Sequence, residues 1–431
     1  MSKLTYASAE RFILSREFFG MKLGLENISR FLASIGSPQL HYRTVHIAGT
    51  NGKGSTAAMI ASVLQAAGYK TGLFTSPHLV SLRERVRVNG RVIPQQSVVA
   101  FISRHKKELS KWKLSFFELI TAMAFYHFAQ AGIDIAVIET GLGGRLDATN
   151  VLSPELTITT DISLDHMEIL GTTLGKIARE KAGIIHPDTP HLAGLLAKEA
   201  DAVIAEQCRR RGAPYYRLRK RDFQPDLRTL AFSYAENGHR WTNLKPALVG
   251  PHQLYNAALA VKALIILRQK GLRIAGKHIA EGLAQTRWRG RFEIIARRGK
   301  PTLILDVGHN AAGVEAFVSS FQNRFPGRSA TILTGFVKRK EHQKMFDSMS
   351  RIAERYALVP LKTRRSVNLN ELIAQVNWRG VPYRKYGSLQ SAYRRVVELS
   401  TKDDIIVIAG SHYLVGEFMA KYLSRSYGRN A

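Results

Sequence analysis

A glycine-rich run, Gly49-Thr50-Asn51-Gly52-Lys53-Gly54-Ser55-Thr56, lies between an apolar stretch at 44–48 and a helical pattern at 57–67 that Gly68 closes. Strand, glycine loop and helix in that order suit a phosphate group. Glycines let the backbone turn its N–H groups toward phosphate oxygens, and the helix N-terminus adds a partial positive charge. Lys53 is spaced to reach the outer phosphates, and the hydroxyl of Ser55 or Thr56 to face phosphate or Mg²⁺. The run reads Gly-x-x-Gly-Lys-Gly-Ser, two residues shorter between the glycines than the common phosphate-loop pattern, so the assignment rests on its context.

A bound nucleoside triphosphate needs Mg²⁺, which prefers oxygen ligands and keeps several of its waters. Candidate ligands belong at the carboxyl ends of neighbouring strands. Glu139 closes the apolar run 133–138 and leads into Gly141-Leu142-Gly143-Gly144-Arg145-Leu146-Asp147. His166 follows the next run, 156–160, and Ser76 stands just past the run 72–75 and before Pro77. Read singly, Ser76 is somewhat more readily structural than ligating, and histidine is a minority ligand for Mg²⁺.

Alternating strand and helix patterns from about Arg43 onward predict an α/β protein. Continuous apolar strands imply burial on both faces, hence a mainly parallel sheet covered by helices. Residues 86–93 read instead as two short strands about an Asn89-Gly90 turn, a small antiparallel flap. A second α/β series runs from a strand at 302–305 to a strand at 404–408 and a helix near 414–423. With the joint placed near Ala296, the expected domains are a phosphate-loop ATPase domain, 1–295, and a smaller Rossmann-like domain, 296–431.

At 431 residues the chain is long enough for two or three cores, and 45% hydrophobic with 22% charged residues is a globular composition. No apolar run reaches the ~20 residues of a membrane span, and residues 1–11 lack a secretory pattern, so a cytoplasmic protein is expected. One cysteine, Cys208, excludes an internal disulfide framework and a multi-cysteine zinc site. The net charge of +30, densest at 217–221 and 338–340, suits polyanionic ligands. No nucleic-acid recognition motif accompanies it, so no specific nucleic acid is expected.

Taken together, these segments resemble the folylpolyglutamate synthase and dihydrofolate synthase family of the Mur ligase superfamily. The resemblance covers Gly24-Leu25-Glu26, the loop 49–55, Thr75-Ser76-Pro77-His78-Leu79, residues 139–150 and Asp165-His166. It continues through Glu180-Lys181-Ala182-Gly183-Ile184, residues 250–257 and Gly290-Arg291-Phe292. It implies that Gly49, Thr50, Asn51, Gly52, Lys53, Gly54 and Ser55 hold ATP phosphates, with Asn256, Arg291 and Asp306 completing the nucleotide site. Ser76 and Glu139 would hold one Mg²⁺, and Glu139 with His166 a second. Lys181 matches a lysine that the family carries as a carbamate. Gly24, Leu25, Phe116, Phe117, Glu118, Arg145 and Asp147 would line the pterin and substrate pocket, and His309 would orient an acyl phosphate or bind glutamate. Two departures stand out: Asp306-Val307-Gly308-His309-Asn310 replaces the usual Asp-Gly-Ala-His-Asn, and Asn27 stands where a basic residue commonly follows Gly-Leu-Glu.

The implied reaction is ATP-dependent ligation of L-glutamate to dihydropteroate and to folates through an acyl phosphate, by a monomer. Bifunctionality is the expectation, although residues 21–25 resemble members that only extend polyglutamate chains. A peptidoglycan-type Mur ligase would carry a further domain ahead of the phosphate loop. A nucleic-acid-stimulated ATPase, which the charge would favour, would not require glutamate.

Overall fold

The structure, a computed structural model, describes residues 4–19, 24–236 and 238–423. Eight strands build the first sheet: β1 (Arg43–Ala48), β2 (Thr71–Phe74), β3 (Val86–Val88), β4 (Arg91–Val92), β5 (Ile135–Glu139), β6 (Leu156–Thr159), β7 (His191–Ala193) and β8 (Tyr215–Arg217). Their order is β4-β3-β2-β5-β1-β6-β7-β8, and from β2 to β8 every pairing is parallel. The fold is α/β, as the continuous apolar runs require. Val45, Ile47, Val137 and Ile158 pack on one face, with the helices Lys53–Ala66, Pro251–Gln269 and Gly276–Gln285. Phe74, Ala136 and Ile138 pack on the other, with the helices Tyr6–Ser15, Gln95–Arg104 and Phe116–Ala131. The helix Pro251–Gln269 is buried over most of its length, which is why its apolar residues run all round it. Leu264 within it is fully buried, and truncating such a side chain to alanine costs about 2–5 kcal/mol.

Two readings change in the structure. The helix after the phosphate loop starts at Lys53, four residues before the apolar pattern begins, because Gly52 at φ 80 turns the chain straight into it. The Asn89-Gly90 turn forms with both residues at positive φ, but β3 pairs antiparallel with β2, so the hairpin is the edge of the main sheet rather than a separate flap.

A three-stranded antiparallel sheet follows, in the order β11-β10-β9: β9 (Phe223–Asp226), β10 (Ala231–Glu236) and β11 (His239–Leu244). The last sheet has six strands: β12 (Glu293–Ile295), β13 (Thr302–Asp306), β14 (Ala330–Thr334), β15 (Ala353–Leu358), β16 (Tyr383–Lys385) and β17 (Ile405–Ala409). Their order is β12-β13-β17-β14-β15-β16, parallel except for β12. The 76–79 loop presses into this second unit: a Cβ at Gly416 would stand 2.1 Å from the Leu79 carbonyl oxygen.

Burial also leaves two histidines in the first sheet with nowhere to put a charge. His46 on β1 bonds Thr149 Oγ1 at 2.8 Å, and His191 on β7 bonds Thr157 Oγ1 at 2.8 Å. Desolvation pushes both pKa values down from 6.5 to about 3. The unfolded chain therefore binds these protons first, and stability should fall as pH drops below about 6.5 toward 3. Thermal midpoints measured from pH 7 to pH 4 should decline less steeply in His191→Gln than in the wild type; parallel curves would count against this assignment.

Candidate active site

The phosphate loop owes its shape to neighbours that leave no room for side chains. A Cβ at Gly49 would lie 1.9 Å from Thr160 Oγ1, and one at Gly52 would lie 2.5 Å from Asn256 Oδ1. Both residues also hold positive φ, so glycine is demanded twice over. Thr160 Oγ1 donates to Asn51 O at 2.6 Å, which ties the loop to the end of β6. At the helix start, Ser55 is buried and accepts from Gln253 Nε2 at 3.4 Å, while Asn256 donates to Gln253 Oε1 at 3.0 Å. The helix Pro251–Gln269 thus braces the loop from behind.

Lys53 folds back along the loop. Its Nζ donates to Gly49 O at 3.0 Å and Thr50 O at 3.1 Å, and it lies 4.0 Å from Glu139 Oε1. Glu139 ends β5, the parallel neighbour of β1, so strand pairing alone carries its carboxylate to the loop. Burial raises its pKa, opposed by Lys53, the Ser76 amide, Arg291 and Arg85. Ser76, beside a cis bond to Pro77, donates its N–H to Glu139 Oε2 at 3.1 Å.

Asp161, in the segment following β6, accepts through Oδ1 from the amides of Thr50, at 3.1 Å, and Asn51. Those two N–H groups are therefore already partnered within the protein. Lys181, the buried last residue of the helix Leu174–Lys181, donates to Gly49 O at 2.7 Å, so two lysines share one carbonyl. Desolvation, then Lys53, lowers the Lys181 pKa from 10.5 to about 7. Arg145 holds that helix from outside, with its guanidinium 3.0 Å from Glu180 Oε1.

The second unit contributes a facing set. Arg291 feels both Asp306 and Glu139: burial lowers its pKa while the two carboxylates raise it. Asp306, the last residue of β13, accepts from the amides of Phe292 at 2.9 Å and Gly308 at 2.7 Å. His309 bonds Val307 O through Nδ1 at 3.1 Å and stands 3.8 Å from Asp165 Oδ2; desolvation pushes its pKa down to about 4, leaving it neutral. Asp165 joins the two units. It pairs with Lys340 and accepts from Asn310 Nδ2 at 3.0 Å, while Asn310 also reaches Asn51 Oδ1 at 3.1 Å. Against the raising effect of its own burial, Lys340 and His166 hold the Asp165 carboxyl well below the usual carboxylate range. His166 itself sits at φ 51, with Nε2 4.0 Å from Asp165 Oδ2 and its pKa lowered by burial.

The expected pocket residues fall into two groups. Phe116 and Phe117 open the helix Phe116–Ala131; Phe117 lies so close to Gly141 that a Cβ there would meet its ring at 2.4 Å. Glu118 caps the same helix, its Oε2 accepting the Ser115 amide at 2.8 Å, while its buried Oε1 has no partner. Asp147 also shapes backbone, accepting from Leu142 N at 2.8 Å and from Thr149 N and Oγ1 at 3.0 and 2.6 Å. Gly24 and Leu25 precede the helix Glu26–Ser34, with open space beside Gly24; residues 21–23 lie outside the described residues. Sequence reasoning gave no role to Arg85 or to His78. Arg85 donates to His78 Nδ1 at 2.9 Å, lies 5.2 Å from the Phe116 ring, and acts on Glu139, which puts a buried cation in the same cleft. Nothing in an isolated Arg-Glu-Arg run signals that; the fold of the 76–85 segment does.

Among the described residues no three His, Cys, Asp or Glu side chains converge as a metal cluster. A divalent ion here would take few protein ligands, as Mg²⁺ does.

Residues 47–264 match the Mur ligase middle domain family, and 290–412 match the Mur ligase glutamate ligase domain. The dihydrofolate synthase/folylpolyglutamate synthase of Bacillus subtilis is 33% identical over 429 residues, 96% of this chain and 98% of the relative. The chain belongs to the dihydrofolate synthase/folylpolyglutamate synthase family of Mur ligases. Within that family, the folylpolyglutamate synthase of Lacticaseibacillus casei is 32% identical, covering 90% of this chain and 91% of its own. Among solved structures, Escherichia coli FolC in complex with DHPP and ADP superposes with a TM-score of 0.87 at 29% identity, covering 98% of this chain and 100% of that one. The Mycobacterium tuberculosis folylpolyglutamate synthase complexed with ADP gives 0.88 at 28%, covering 96% and 97%.

Proposed function

We propose that the protein is an ATP-dependent ligase that adds L-glutamate to folates and to dihydropteroate through an acyl phosphate, acting as a cytoplasmic monomer. The observation that carries this reading is the meeting of Lys53, at the start of the helix after the glycine loop, with Glu139, at the end of β5, 4.0 Å apart, with Arg291 and Asp306 arriving from the second unit. We place the domain boundary before β12 rather than near 296, since Glu293–Ile295 pair with β13 of the second sheet, and the nucleotide would lie between the two domains. No helix of the described residues is long and apolar enough to cross a membrane.

The substrate carboxylate attacks the γ-phosphorus of ATP, a P–O bond forms, and ADP leaves. The glutamate amino group then attacks the acyl carbon, a C–N bond forms, and phosphate departs as the amine loses its proton. Lys53 and the N-terminus of the helix Lys53–Ala66 offset charge on the transferring group. Asp306, fixed by two amides, and Arg291 position the nucleotide, and Asn256 supports the loop. Neutral His309 is suited to orient the acyl phosphate or the glutamate. The Asp165–Lys340 and Asn310–Asn51 contacts keep the units together and water out.

The residues present fit Mg²⁺. Glu139 is a buried carboxylate whose nearest cation stands only 4.0 Å off, Ser76 offers a hydroxyl, and His166 a neutral nitrogen. Ser76 and Glu139 would hold one ion and Glu139 with His166 another, neutralising charge on the phosphates. Lys181 fits a carbamate. Its lowered pKa leaves a large share of neutral amine to add CO₂, and an anion there would relieve the crowding of Lys53 and Lys181 on Gly49 O.

The test offers purified enzyme ATP and glutamate with either dihydropteroate or a tetrahydrofolate monoglutamate, following products by mass and ADP by coupled assay. Glutamate-dependent ADP release with both acceptors is expected. Elongation of tetrahydrofolate without dihydrofolate formation would reduce the reading to a folylpolyglutamate synthase. ADP release that ignores glutamate and responds to nucleic acid would overturn it.

A further inference from the structure

The basic cluster at 338–340 plays no part in the chemistry above beyond Lys340, yet the fold enlarges it. The loop after β14 and the loop after β15 are zipped together by an antiparallel bridge between Val337 and Ser366, by Lys338 N donating to Arg365 O at 2.8 Å, and by Val367 N donating to Phe336 O at 3.0 Å. This sets Lys338 and Arg339 beside Arg364 and Arg365, all four exposed. Among the described residues none of the four has a carboxylate partner; the nearby acids Glu341 and Glu417 are taken by Lys344 and Lys362. Gathering like charges on one rim works against folding unless an anion uses them. The rim also has an address. Lys340, on the same loop, pairs with Asp165 beside His166, and Asp165 is bonded to Asn310, which reaches the phosphate loop. It therefore lies on the carboxyl edge of the six-stranded sheet, the edge that faces the candidate active site.

We propose that this rim is a subsite for the oligo-γ-glutamyl tail of long substrates. It would bind the α-carboxylates that a γ-linked chain leaves free, one per residue, while the terminal γ-carboxylate lies at the phosphate loop. Two guanidinium groups and two ammonium groups suit a run of carboxylates, since guanidinium pairs with carboxylate bidentately. The proposal rests on the reading of the protein as a γ-glutamyl chain extender and adds where the chain lies.

Full-length enzyme and the variant Lys338→Ala/Arg339→Ala/Arg364→Ala/Arg365→Ala are compared on tetrahydrofolate monoglutamate and triglutamate. A control removes four cations from the opposite edge of the same sheet: Arg297→Ala/Arg298→Ala/Lys300→Ala/Lys402→Ala. The rim variant should raise KM for the triglutamate about tenfold, the sum of a few exposed carboxylate–cation pairs, and leave the monoglutamate within about twofold. Added salt should erase the difference in the wild type. Wild-type turnover of the monoglutamate tests the chain-extender reading by itself; the ratio of the two KM values tests the subsite. Equal KM changes for both substrates, or the same change in the control, would overturn it. Binding of a penta-γ-glutamate peptide by calorimetry, wild type against Arg364→Ala/Arg365→Ala, serves if the fourfold variant does not fold; undiminished binding by the pair variant would overturn the subsite equally.

Discussion

Lys53→Ala is expected to lower kcat by about 10²–10³, the usual loss when one preorganised charge-stabilising group leaves a transition state. Stability should barely change. The ammonium bonds Gly49 O and Thr50 O on its own loop and stands 4.0 Å from Glu139, but its loss also relieves its repulsion of Lys181, so the net cost is expected to stay at about 1 kcal/mol or less. The loop keeps its shape through Thr160, Asn256 and Asp161, none of which touches Lys53 Nζ by hydrogen bond. Steady-state kinetics with saturating ATP, glutamate and tetrahydrofolate, alongside a thermal melt, check both halves. A variant that keeps more than about a tenth of wild-type kcat, a loss under about 1.4 kcal/mol, would remove the phosphate clamp from the mechanism.

Lys181→Ala should be nearly as costly, with at least about a hundredfold loss of kcat, since an anion in the loop's shadow would be missing where charge is balanced. A short carboxylic acid small enough for the vacated space should restore part of that activity. Protein prepared in ¹³C-bicarbonate should show a carbamate resonance that Lys181→Ala lacks, a readout that does not depend on turnover. Spectra without that resonance, or a variant that no acid rescues, would leave Lys181 as a buried amine bonded to Gly49 O.

Much of this site could be read along the chain because its core is local. A glycine loop between a strand and a helix is specified by backbone sterics, and the strands on either side announce themselves as unbroken apolar runs. Glu139, Ser76 and His166 could be proposed because each ends or follows a strand, and parallel pairing of β1 with β5 and β6 brings such ends side by side. Even the Asn89-Gly90 turn follows from positive φ alone, though what its strands pair with does not.

What the tertiary structure decided concerns long-range charge and shape. Asp161 reached the Thr50 and Asn51 amides, and Arg85 entered the cleft beside Glu139, because of how loops return to the sheet, and composition carries no trace of that path. Asp147 and Glu118 were expected in the pocket only through the family resemblance; in the fold Asp147 accepts from Leu142 N and from Thr149 N and Oγ1, and Glu118 Oε2 caps its own helix through the Ser115 amide. Lys340 could be seen only as one of three basic residues until the fold placed it against Asp165, 175 residues away. Periodicity and turn chemistry act over a few residues and are written locally. Desolvation, ion pairing and the closing of one domain on another depend on atoms far apart in sequence, and only the folded chain brings them within the few ångströms over which they act.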